Sequence, residues 1–495
     1  MTAFAAPFTH KIVFNLEHET GHRQYLDMTN RQSATDAICE KLGSSGYVDD
    51  PSQLDAYNIE WRGLYKGTAT FVAKPGSVED VAFVVKTCAD AGIGIVPLGG
   101  HTGLVGGGIA TDEIIISTER LNTVHAIDTV NGTMTVGAGC ILADIQQAAD
   151  DADKLFPLSL AAEGSCRIGG NLSTNAGGTN VLRYGNARDL VLGLEVVLPS
   201  GEIWSGLKSL RKDNTGYELK HLFMGAEGTL GVITAAVLKL YPKPRQTETA
   251  LIALKDVDAV IALFSRASNA VGDALSAFEY MNRASLAVTC TYTEGVRDPF
   301  ENEHDAYVLM ELTSPRNGND LRGAVEDFLE AAFEVGEVED AVIAENGQQN
   351  HDLWHIRETI PEAQAHEGGS IKNDVSIPVS RMPEFLEKAD KIVSDIIPGI
   401  RPITFGHIGD GNLHYNLTQP VGDDKDVYLA KWHDVTDPLN ELVDEMDGSF
   451  SAEHGVGKLK REELVRYSSP VEIDLMRKIK AIIDPTGIMN PGKVL

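Results

Sequence analysis

Apolar positions in the early part of the chain predict a strand, a helix and a second strand. The strand-like segment TATFVAKP precedes SVEDVAFVVKTCADAG, in which Val81, Val84 and Val85 recur with the spacing of one helical face. Ser77 followed by Asp80 fits a capping pattern and predicts where this helix begins. The second strand, IGIVPLGG, then leads into a glycine-rich loop.

Strand signals continue up to a proline-rich boundary. After EIIIST, the segment VHAIDTVNGTMTVGAG predicts a hairpin at Asn131-Gly132, and a helix is expected near Ile141 to Asp153. LVLGLEVVLPSGEIWSG and LGVITAAVLKLYPKP predict further strands, and Pro242 with Pro244 indicates the end of a domain.

Beyond that boundary, strand-like segments such as AYVLMEL are separated by polar helices such as DLRGAVEDFLEAAFEVG. This mixture favours an α+β domain with an antiparallel sheet. A chain of 495 residues is also too long for one hydrophobic core, so more than one domain is expected. Residues from Met1 to about Arg31 show no clear period and are expected to be an extension.

Charge and cysteine usage narrow the class of protein. The 72 acidic side chains against 42 basic ones give a formal net charge of -30, so we expect no nucleic-acid partner. Five scattered cysteines without a CxxC pair predict free thiols in a reducing compartment. With no secretory or membrane-spanning segment in sight, the expected location is cytoplasmic, and a peripheral membrane contact stays open.

Two glycine-rich stretches predict a cofactor cradle. PLGGHTGLVGGG carries six glycines, yet neither GxGxxG nor GxxxxGK[ST] occurs in it. Glycines without Cβ atoms let backbone N–H groups close around phosphate oxygens. One such cluster alone would be read as a tight turn. A second stretch, GSCRIGGNLSTNAGGTNVLRYG, adds short polar side chains, so the pair favours a large phosphate-bearing cofactor.

The segment FGHIGDGNLHYN predicts a candidate metal site. If Asp410-Gly411 is the centre of a two-residue turn, positions that sum to 821 face each other, and His407 lies opposite His414. Cross-strand Cβ atoms are then about 5 Å apart, which is a chelating distance. Period-two alternation adds Asn416 to the same face. The alternative is a pair of hydrogen-bonded structural histidines.

The segment SAEHG supplies a third ligand candidate, Glu453, with His454 beside it. Histidines with a carboxylate form a common ligand set for zinc or a related divalent ion. Gly455 and Gly457 predict a loop, since both side chains could not reach one site from a regular strand. An adjacent Glu-His pair is otherwise usually a surface feature.

Four motifs resemble one family: PLGGHTGLVGGG, GSCRIGGNLSTNAGGTNVLRYG, SLRKDNTGYELKHLFMGAEGTLGVIT and MNPGK. They are similar to the FAD-linked oxidases with a vanillyl-alcohol-oxidase (PCMH) type flavin domain, and most of all to the D-2-hydroxyglutarate and related D-2-hydroxyacid dehydrogenases. The resemblance spans roughly residues 50 to 495. It implies an α+β fold with a two-part PCMH-type FAD-binding domain, an antiparallel-sheet substrate or cap domain, and a C-terminal helical segment.

The resemblance also implies a division of the chain and a set of flavin contacts. We expect 1–50 to form an extension and the start of the first domain, 51–244 the FAD-binding domain, 245–420 the cap domain, and 421–495 a segment that completes the active site. The expected flavin contacts are Pro97, Gly99, Gly100, His101, Thr102, Gly103, Gly106, Gly107, Gly169, Gly170, Asn171, Thr174, Asn175, Gly177, Gly178, Gly185, Glu227, Gly228, Ile233 and Asn490.

By the same resemblance, His407, His414 and Glu453 bind the metal, zinc being the first expectation, and His454 is the catalytic base. The reaction implied is oxidation of a D-2-hydroxy acid to the 2-oxo acid, with hydride passing to flavin. The pKa of an alcohol is near 16 and that of a histidine near 6.5, a difference of about nine units. Transfer of the proton from the alcohol to the histidine would therefore cost about 13 kcal/mol. A bound divalent ion can remove most of that difference.

The resemblance also implies that three residues contact the substrate: Arg357, Lys372 and Asn416. A guanidinium matches a carboxylate bidentately, and a lysine adds a point charge. The relatives carry a hydroxyl residue four positions after the arginine, where this chain has Pro361. D-2-hydroxyglutarate is the first choice, and D-lactate, D-malate and glycolate stay open. The implied electron acceptor is an electron-transferring flavoprotein or a quinone, and a homodimer is one assembly left open.

Two questions remain open at the level of sequence. In some members of the superfamily a histidine after paired glycines is bonded covalently to flavin, whereas the nearer relatives hold FAD non-covalently, and we expect His101 to follow the latter. A non-redox metallohydrolase or lyase and a catalytically silent binding protein are the alternative functions. A flavin spectrum that a hydroxy acid bleaches would separate them.

Overall fold

The structure is a computed structural model that describes residues 29–318 and 320–495. The predicted extension from residue 1 to about 31 lies outside the described residues except for 29–31, which are helical. None of the helices within the described ranges is long and apolar enough to cross a bilayer. All five cysteines are free, as predicted.

The first half of the chain forms two main sheets. Its elements are α1 (29–42), β1 (Tyr47–Val48), α2 (Pro51–Asn58), β2 (Val72–Ala73), α3 (Val78–Ala91), β3 (Ile95–Leu98), β4 (Ile114–Ser117), β5 (Val124–Asp128), β6 (Thr133–Gly137), α4 (Leu142–Asp151), β7 (Lys154–Leu155), α5 (Ile168–Ser173), α6 (Val181–Tyr184), β8 (Val191–Val197), β9 (Ile203–Gly206), α7 (Lys220–Phe223), β10 (Val232–Lys239) and β11 (Tyr241–Pro242). The strand orders are β1-β2-β4-β3 and β5-β6-β10-β8-β9, and β7 pairs with β11.

Local sequence signals explain how the first glycine loop is placed. Helix α3 begins as predicted, because the side chain of Ser77 accepts a hydrogen bond from the N–H of Asp80. It ends at Gly92, whose φ of 67° suits a residue without a Cβ. The strand that follows, β3, pairs in parallel with β4, so the loop begins at the carboxyl end of a parallel pair. The hairpin predicted at Asn131-Gly132 joins β5 and β6.

The second half is built on one large sheet. Its elements are β12 (Gln246–Leu254), α8 (Val257–Val271), β13 (Leu275–Asn282), α9 (Arg283–Tyr292), β14 (Ala306–Ser314), α10 (Asp320–Glu334), β15 (Asp340–Ile343), α11 (Gly347–Glu358), α12 (Ile360–Ala365), β16 (Ser370–Ser376), α13 (Met382–Ile396), β17 (Arg401–Gly406), β18 (Asn412–Thr418), α14 (Lys425–Leu429), α15 (Trp432–Glu445), α16 (Arg461–Tyr467) and α17 (Pro470–Ile483). The strand order is β15-β12-β14-β13-β17-β18-β16. Every pairing between these strands is antiparallel, which agrees with the predicted α+β fold.

The C-terminal part of the chain contributes to both halves. Apolar residues of α15, including Val435 and Leu439, share one buried cluster with Leu413 of β18. Met489 instead belongs to the apolar cluster of the first sheet and forms a bridge with Ile95 of β3. The chain therefore passes from the second sheet back to the flavin-loop region, and residues 449–460 lie on that path.

The register of the β17–β18 hairpin differs from the prediction. Phe405, rather than His407, pairs with His414, so facing positions sum to 819 instead of 821. A two-residue turn of the expected type needs a positive φ at both central residues. Gly411 has a φ of 88°, but Asp410 belongs to a single helical turn, Ile408–Asp410. The predicted direct pairing of the two histidines was wrong.

Candidate active site

The two predicted glycine-rich stretches meet in one cleft. A Cβ on Gly99 would lie 3.3 Å from the Cα of Gly170, and a Cβ on Gly100 would lie 2.4 Å from the carbonyl oxygen of Ser165. Side chains at these positions would force the two stretches apart. The predicted flavin contacts that line the cleft are Pro97, Gly99, Gly100, His101, Thr102, Gly103, Gly106, Gly107, Gly169, Gly170, Asn171, Thr174, Glu227, Gly228 and Ile233.

Five predicted flavin contacts lie around that cleft without lining it. They are Asn175, Gly177, Gly178, Gly185 and Asn490. The N–H of Gly178 donates to Glu453 Oε1 at 2.6 Å, and Gly185 packs against the side chain of Asp189. The side-chain amide of Asn490 donates to the carbonyl oxygens of Gly107 at 3.1 Å and Glu227 at 2.7 Å. These contacts support the walls of the cleft, and direct contact of the five with flavin stays a prediction.

Glu227 forms hydrogen bonds with the backbone of the loop that follows Glu453 and His454. Its two carboxylate oxygens accept the N–H groups of Val456 at 2.7 Å and Gly457 at 2.8 Å. Burial raises the pKa of this carboxyl, although the two N–H groups act in the opposite direction. Gly455 and Gly457 both have positive φ, as expected for the loop predicted there. Glu227, a predicted flavin contact, thus also positions the loop next to Glu453 and His454.

The three predicted metal ligands converge despite the changed register. Their ligand atoms all lie within 4.8 Å of one another. His407 Nε2 is 3.6 Å from Glu453 Oε1, and His414 Nε2 is 4.0 Å from Glu453 Oε2. The two imidazoles are arranged edge to face with centroids 5.7 Å apart. Two nitrogens and a carboxylate at these separations suit a small divalent ion such as zinc.

Glu279 is a member of the site that sequence reasoning missed. Its carboxylate is fully buried on β13 and accepts Nδ1 of His407 at 2.6 Å and Nε of Arg357 at 2.9 Å. Burial alone would raise the pKa of Glu279, but the two cationic neighbours outweigh it and lower the pKa to about 2. The available signal was a single acid between Phe278 and Tyr280 in an apolar strand, where an unpaired charge would be costly.

Asp374 is the second residue that was missed. It pairs across the sheet with His414, and its Oδ2 accepts the N–H groups of Glu453 and His454, both at 2.9 Å. Oδ1 accepts the side-chain amide of Asn412 at 2.9 Å. Asp374, His414 and His454 also satisfy the spacing of a metal site. Because the oxygens of Asp374 already accept three N–H donors, it fits a positioning residue better than a metal ligand.

His454 links the flavin cleft to the metal cluster. It lines the cleft, and its ring stacks on His414 with centroids 5.9 Å apart and an interplanar angle of 14°. Its Nδ1 lies 3.4 Å from Asp374 Oδ2, which leaves Nε2 as the nitrogen directed away from that carboxylate. Burial lowers the pKa of His454 more than Asp374 raises it, so the imidazole is neutral and able to accept a proton at neutral pH.

Two of the predicted substrate residues, Lys372 and Asn416, lie on neighbouring strands of the large sheet, and the third, Arg357, lies in α11. Lys372 pairs across the strands with Asn416, whose side-chain amide donates to Gln364 Oε1 at 3.0 Å. Burial lowers the pKa of Lys372 to about 8. Arg357 uses Nε and Nη2 to bind Glu279, so that edge of the guanidinium is not available to a substrate carboxylate. The predicted bidentate contact would have to use the remaining Nη1 edge.

Two protein-family models and several named proteins match this chain. Residues 69–206 match the family described as FAD binding domain, and residues 243–494 match FAD linked oxidases, C-terminal domain. A probable mitochondrial D-2-hydroxyglutarate dehydrogenase of Oryza sativa subsp. indica is 39% identical over 92% of this chain and 80% of its own length. A D-2-hydroxyglutarate dehydrogenase of Xanthomonas citri pv. viticola is 38% identical, over 90% of this chain and 93% of its own.

Solved structures agree on the fold. p-Cresol methylhydroxylase with substrate bound superposes with a TM-score of 0.75 at 16% identity, over 94% of this chain and 97% of that protein. Alkyldihydroxyacetonephosphate synthase gives 0.72 at 18% identity, over 93% and 84%.

The chain belongs to the FAD-linked oxidase family and is an FAD-linked oxidoreductase. The predicted family, fold and flavin cofactor are confirmed. The names of the plant relatives place those proteins in mitochondria, and the cytoplasmic location expected for this chain stays a prediction.

Proposed function

We propose that this protein oxidises the C2 hydroxyl of a D-2-hydroxy acid to a 2-oxo acid, with D-2-hydroxyglutarate as the first-choice substrate. The reaction would use FAD together with a divalent metal ion, zinc being the first candidate. One observation carries the proposal: His454 lines the glycine-loop cleft while its ring stacks on His414 of the metal cluster. A proton acceptor therefore lies where a flavin and a metal-held hydroxyl would meet.

The cleft fits a flavin nucleotide. Gly99 and Gly170 approach as only residues without side chains can, and Asn171 Oδ1 is buried without a hydrogen-bond partner. When bound, FAD supplies the acceptor for the α-hydrogen as hydride. Non-covalent binding is supported by His101, whose Nε2 contacts the carbonyl oxygen of Ile59 at 3.0 Å.

The donor set of His407, His414 and Glu453 fits a divalent ion. Glu279 is ionised and can only accept hydrogen bonds, so Nδ1 of His407 donates to it and Nε2 is left as the ligand atom. When bound, a divalent ion supplies a Lewis acid that lowers the pKa of a substrate hydroxyl. Glu453 is itself held by the N–H of Gly178, which orients its carboxylate toward both histidines.

His454 would take the hydroxyl proton at Nε2. Asp374 binds the backbone N–H of His454 and lies close to Nδ1, so the ring is oriented from two directions. The same carboxylate binds the N–H of Glu453, which couples the position of the base to that of a metal ligand. General-base catalysis of this kind typically contributes a factor of about 10² to 10⁴.

An anionic substrate is supported by the two cations of the cap domain. Arg357 is buried and Lys372 is half-buried in a chain of net charge -30, and such cations favour a bound carboxylate. Relatives named D-2-hydroxyglutarate dehydrogenases favour the dicarboxylate. The resemblance predicts a hydroxyl residue at the position of Pro361, and proline cannot make that contact to the substrate. D-lactate, D-malate and glycolate therefore remain the alternative substrates. The electron acceptor, an electron-transferring flavoprotein or a quinone, and a homodimeric assembly stay predictions.

Anaerobic reduction of the holoenzyme flavin tests the proposal. D-2-hydroxyglutarate should bleach the visible flavin band, and L-2-hydroxyglutarate should not. D-malate, D-lactate and glycolate rank the alternatives. A strong chelator should slow the bleaching, and added zinc should restore it. Dithionite provides the control that the bound flavin can be reduced. Flavin that dithionite reduces but no D-2-hydroxy acid reduces would exclude the proposed function.

A further inference from the structure

The backbone of Glu227 is joined to both glycine-rich stretches. Its N–H donates to the carbonyl oxygen of Ser173 in the second stretch at 2.8 Å. Its carbonyl oxygen accepts the side-chain amide of Asn490 at 2.7 Å, and the same amide donates to the carbonyl oxygen of Gly107 in the first stretch at 3.1 Å. Glu227 has a φ of 50°, a left-handed conformation that is unfavourable for a residue with a Cβ. These contacts hold it in one position between the cleft and residues 453–459, the base loop.

The side chain of Glu227 extends from the cleft to the base loop. Its two carboxylate oxygens accept the N–H groups of Val456 and Gly457, so both oxygens are used by the backbone of the loop. A Cβ on Gly455 would lie 2.7 Å from Oε1, and a Cβ on Gly107 would lie 3.4 Å from Oε2. The carboxylate therefore fills the space between the first glycine-rich stretch and the base loop.

Further hydrogen bonds attach the base loop to the two glycine-rich stretches. The carbonyl oxygen of Val105, in the first stretch, accepts the N–H groups of Lys458 at 2.8 Å and Leu459 at 3.1 Å. In the second stretch, the N–H of Gly178 donates to Oε1 of the predicted metal ligand Glu453 at 2.6 Å. Both walls of the cleft therefore hold the base loop, and one of them contacts a metal-ligand candidate directly.

The cap domain holds the base loop from its other end. Asp374 accepts the N–H groups of Glu453 and His454, and it pairs across the large sheet with His414. A cofactor bound between the two glycine-rich stretches would fix their separation, and with it the position of the Glu453 carboxylate relative to His414. Ordering one binding site in advance reduces the conformational entropy that is lost when the second ligand binds. The contacts of the base loop therefore favour cooperative binding at the two sites.

We propose that FAD and the divalent metal bind cooperatively, and that Glu227 is the positioning residue that couples the two sites through the base loop. The inference rests on the proposed function, since it takes His407, His414 and Glu453 as a metal site. Coupling between two binding sites is reciprocal. FAD should therefore raise the affinity for zinc by the same factor by which zinc raises the affinity for FAD.

The affinity of the full chain for FAD, with and without zinc, tests the coupling. Flavin fluorescence gives the dissociation constant of FAD with zinc bound and again after a strong chelator has removed the zinc. In the wild-type chain, removal of zinc should weaken FAD binding by about 5- to 150-fold, the usual range for coupled sites. In Glu227→Gln the side-chain amide cannot accept both backbone N–H groups, so the ratio of the two constants should fall toward one. The ratio cancels any direct effect of the substitution on FAD binding.

Glu113→Gln is the matched control, because the half-buried Glu113 of the same domain also accepts two backbone N–H groups, those of Thr111 at 2.7 Å and Asp112 at 3.1 Å. It should keep the wild-type ratio, and thermal melting shows that each variant is folded. Equal FAD affinities with and without zinc in the wild-type chain would overturn the coupling while leaving the proposed function intact. A wild-type ratio in Glu227→Gln, or an equal fall in Glu113→Gln, would overturn the role of Glu227. A chain that binds no zinc would instead contradict the metal dependence of the proposed function, and this inference with it.

Discussion

Glu279 and His407 are joined by a buried hydrogen bond of 2.6 Å between the carboxylate and Nδ1 of the imidazole. The bond selects the tautomer whose Nε2 points to the metal cluster. The other carboxylate oxygen of Glu279 binds Arg357, so one acid ties a metal ligand to a candidate substrate contact. Any movement of the arginine would be transmitted to the metal ligand through this carboxylate.

Replacing Glu279 should therefore weaken metal binding. We expect Glu279→Gln to reduce zinc affinity by about 10- to 100-fold, the usual cost of losing a carboxylate behind a histidine ligand. Competition with a chromogenic chelator measures this affinity without turnover. Glu311→Gln is the matched control, because Glu311 is a half-buried acid on the adjacent strand and accepts a hydrogen bond from Trp354 instead. Equal zinc affinities in the two variants would show that Glu279 has only a structural role.

Removing His414 should abolish turnover without loss of flavin. His414→Ala deletes one of three ligand atoms, so zinc content should fall and reduction of the flavin by substrate should be at least about 10²-fold slower. The cleft that lies between the glycine loops does not depend on this side chain, so FAD content should stay at the wild-type level. His433→Ala, at an exposed position, is the control. Unchanged activity in His414→Ala would indicate a structural histidine pair.

Removing the proposed base should affect the rate more than the binding of either cofactor. For His454→Gln we expect flavin reduction to slow by about 10² to 10⁴, with zinc and FAD content unchanged. Stopped-flow measurement under anaerobic conditions isolates this step. Asp374→Asn should slow the same step, because the ring and the backbone of His454 lose a charged partner. A His454→Gln enzyme that reduces its flavin at the normal rate would exclude the residue as base.

Lys372 predicts a pH dependence of substrate binding. Its pKa of about 8, lowered by burial and by Arg62, means that the ammonium is charged below pH 8 and neutral above it. The substrate carboxylates stay ionised throughout this range, so KM should rise about tenfold between pH 7 and pH 9. In Lys372→Arg the charge persists, and KM should stay flat. A wild-type KM that does not change above pH 8 would remove Lys372 from the carboxylate site.

Much of the site could be predicted because its signals are local in sequence. The glycine-rich stretches predict a cofactor cleft, and short motifs indicate His407, His414 and the Glu453-His454 pair as site residues. The predicted register of the hairpin was wrong, but His407 and His414 still lie together. His407 precedes a single helical turn, and its ring contacts that of His414. The single helical turn at Ile408–Asp410 could not be read from the Asp-Gly dipeptide alone, since packing against the neighbouring strand decides which turn forms.

Sequence by itself determined the composition of the cleft and the identity of the reactive side chains, because backbone freedom at glycine and the chemistry of imidazole and carboxylate are properties of single residues. Tertiary structure alone decided which buried groups hold them. Glu279 lies 128 residues from His407, and Asp374 lies 80 residues from His454. Such pairings depend on which distant strands become neighbours in the large sheet and on where residues 449–460 return to it, because a buried charge is stable only where folding brings it a partner.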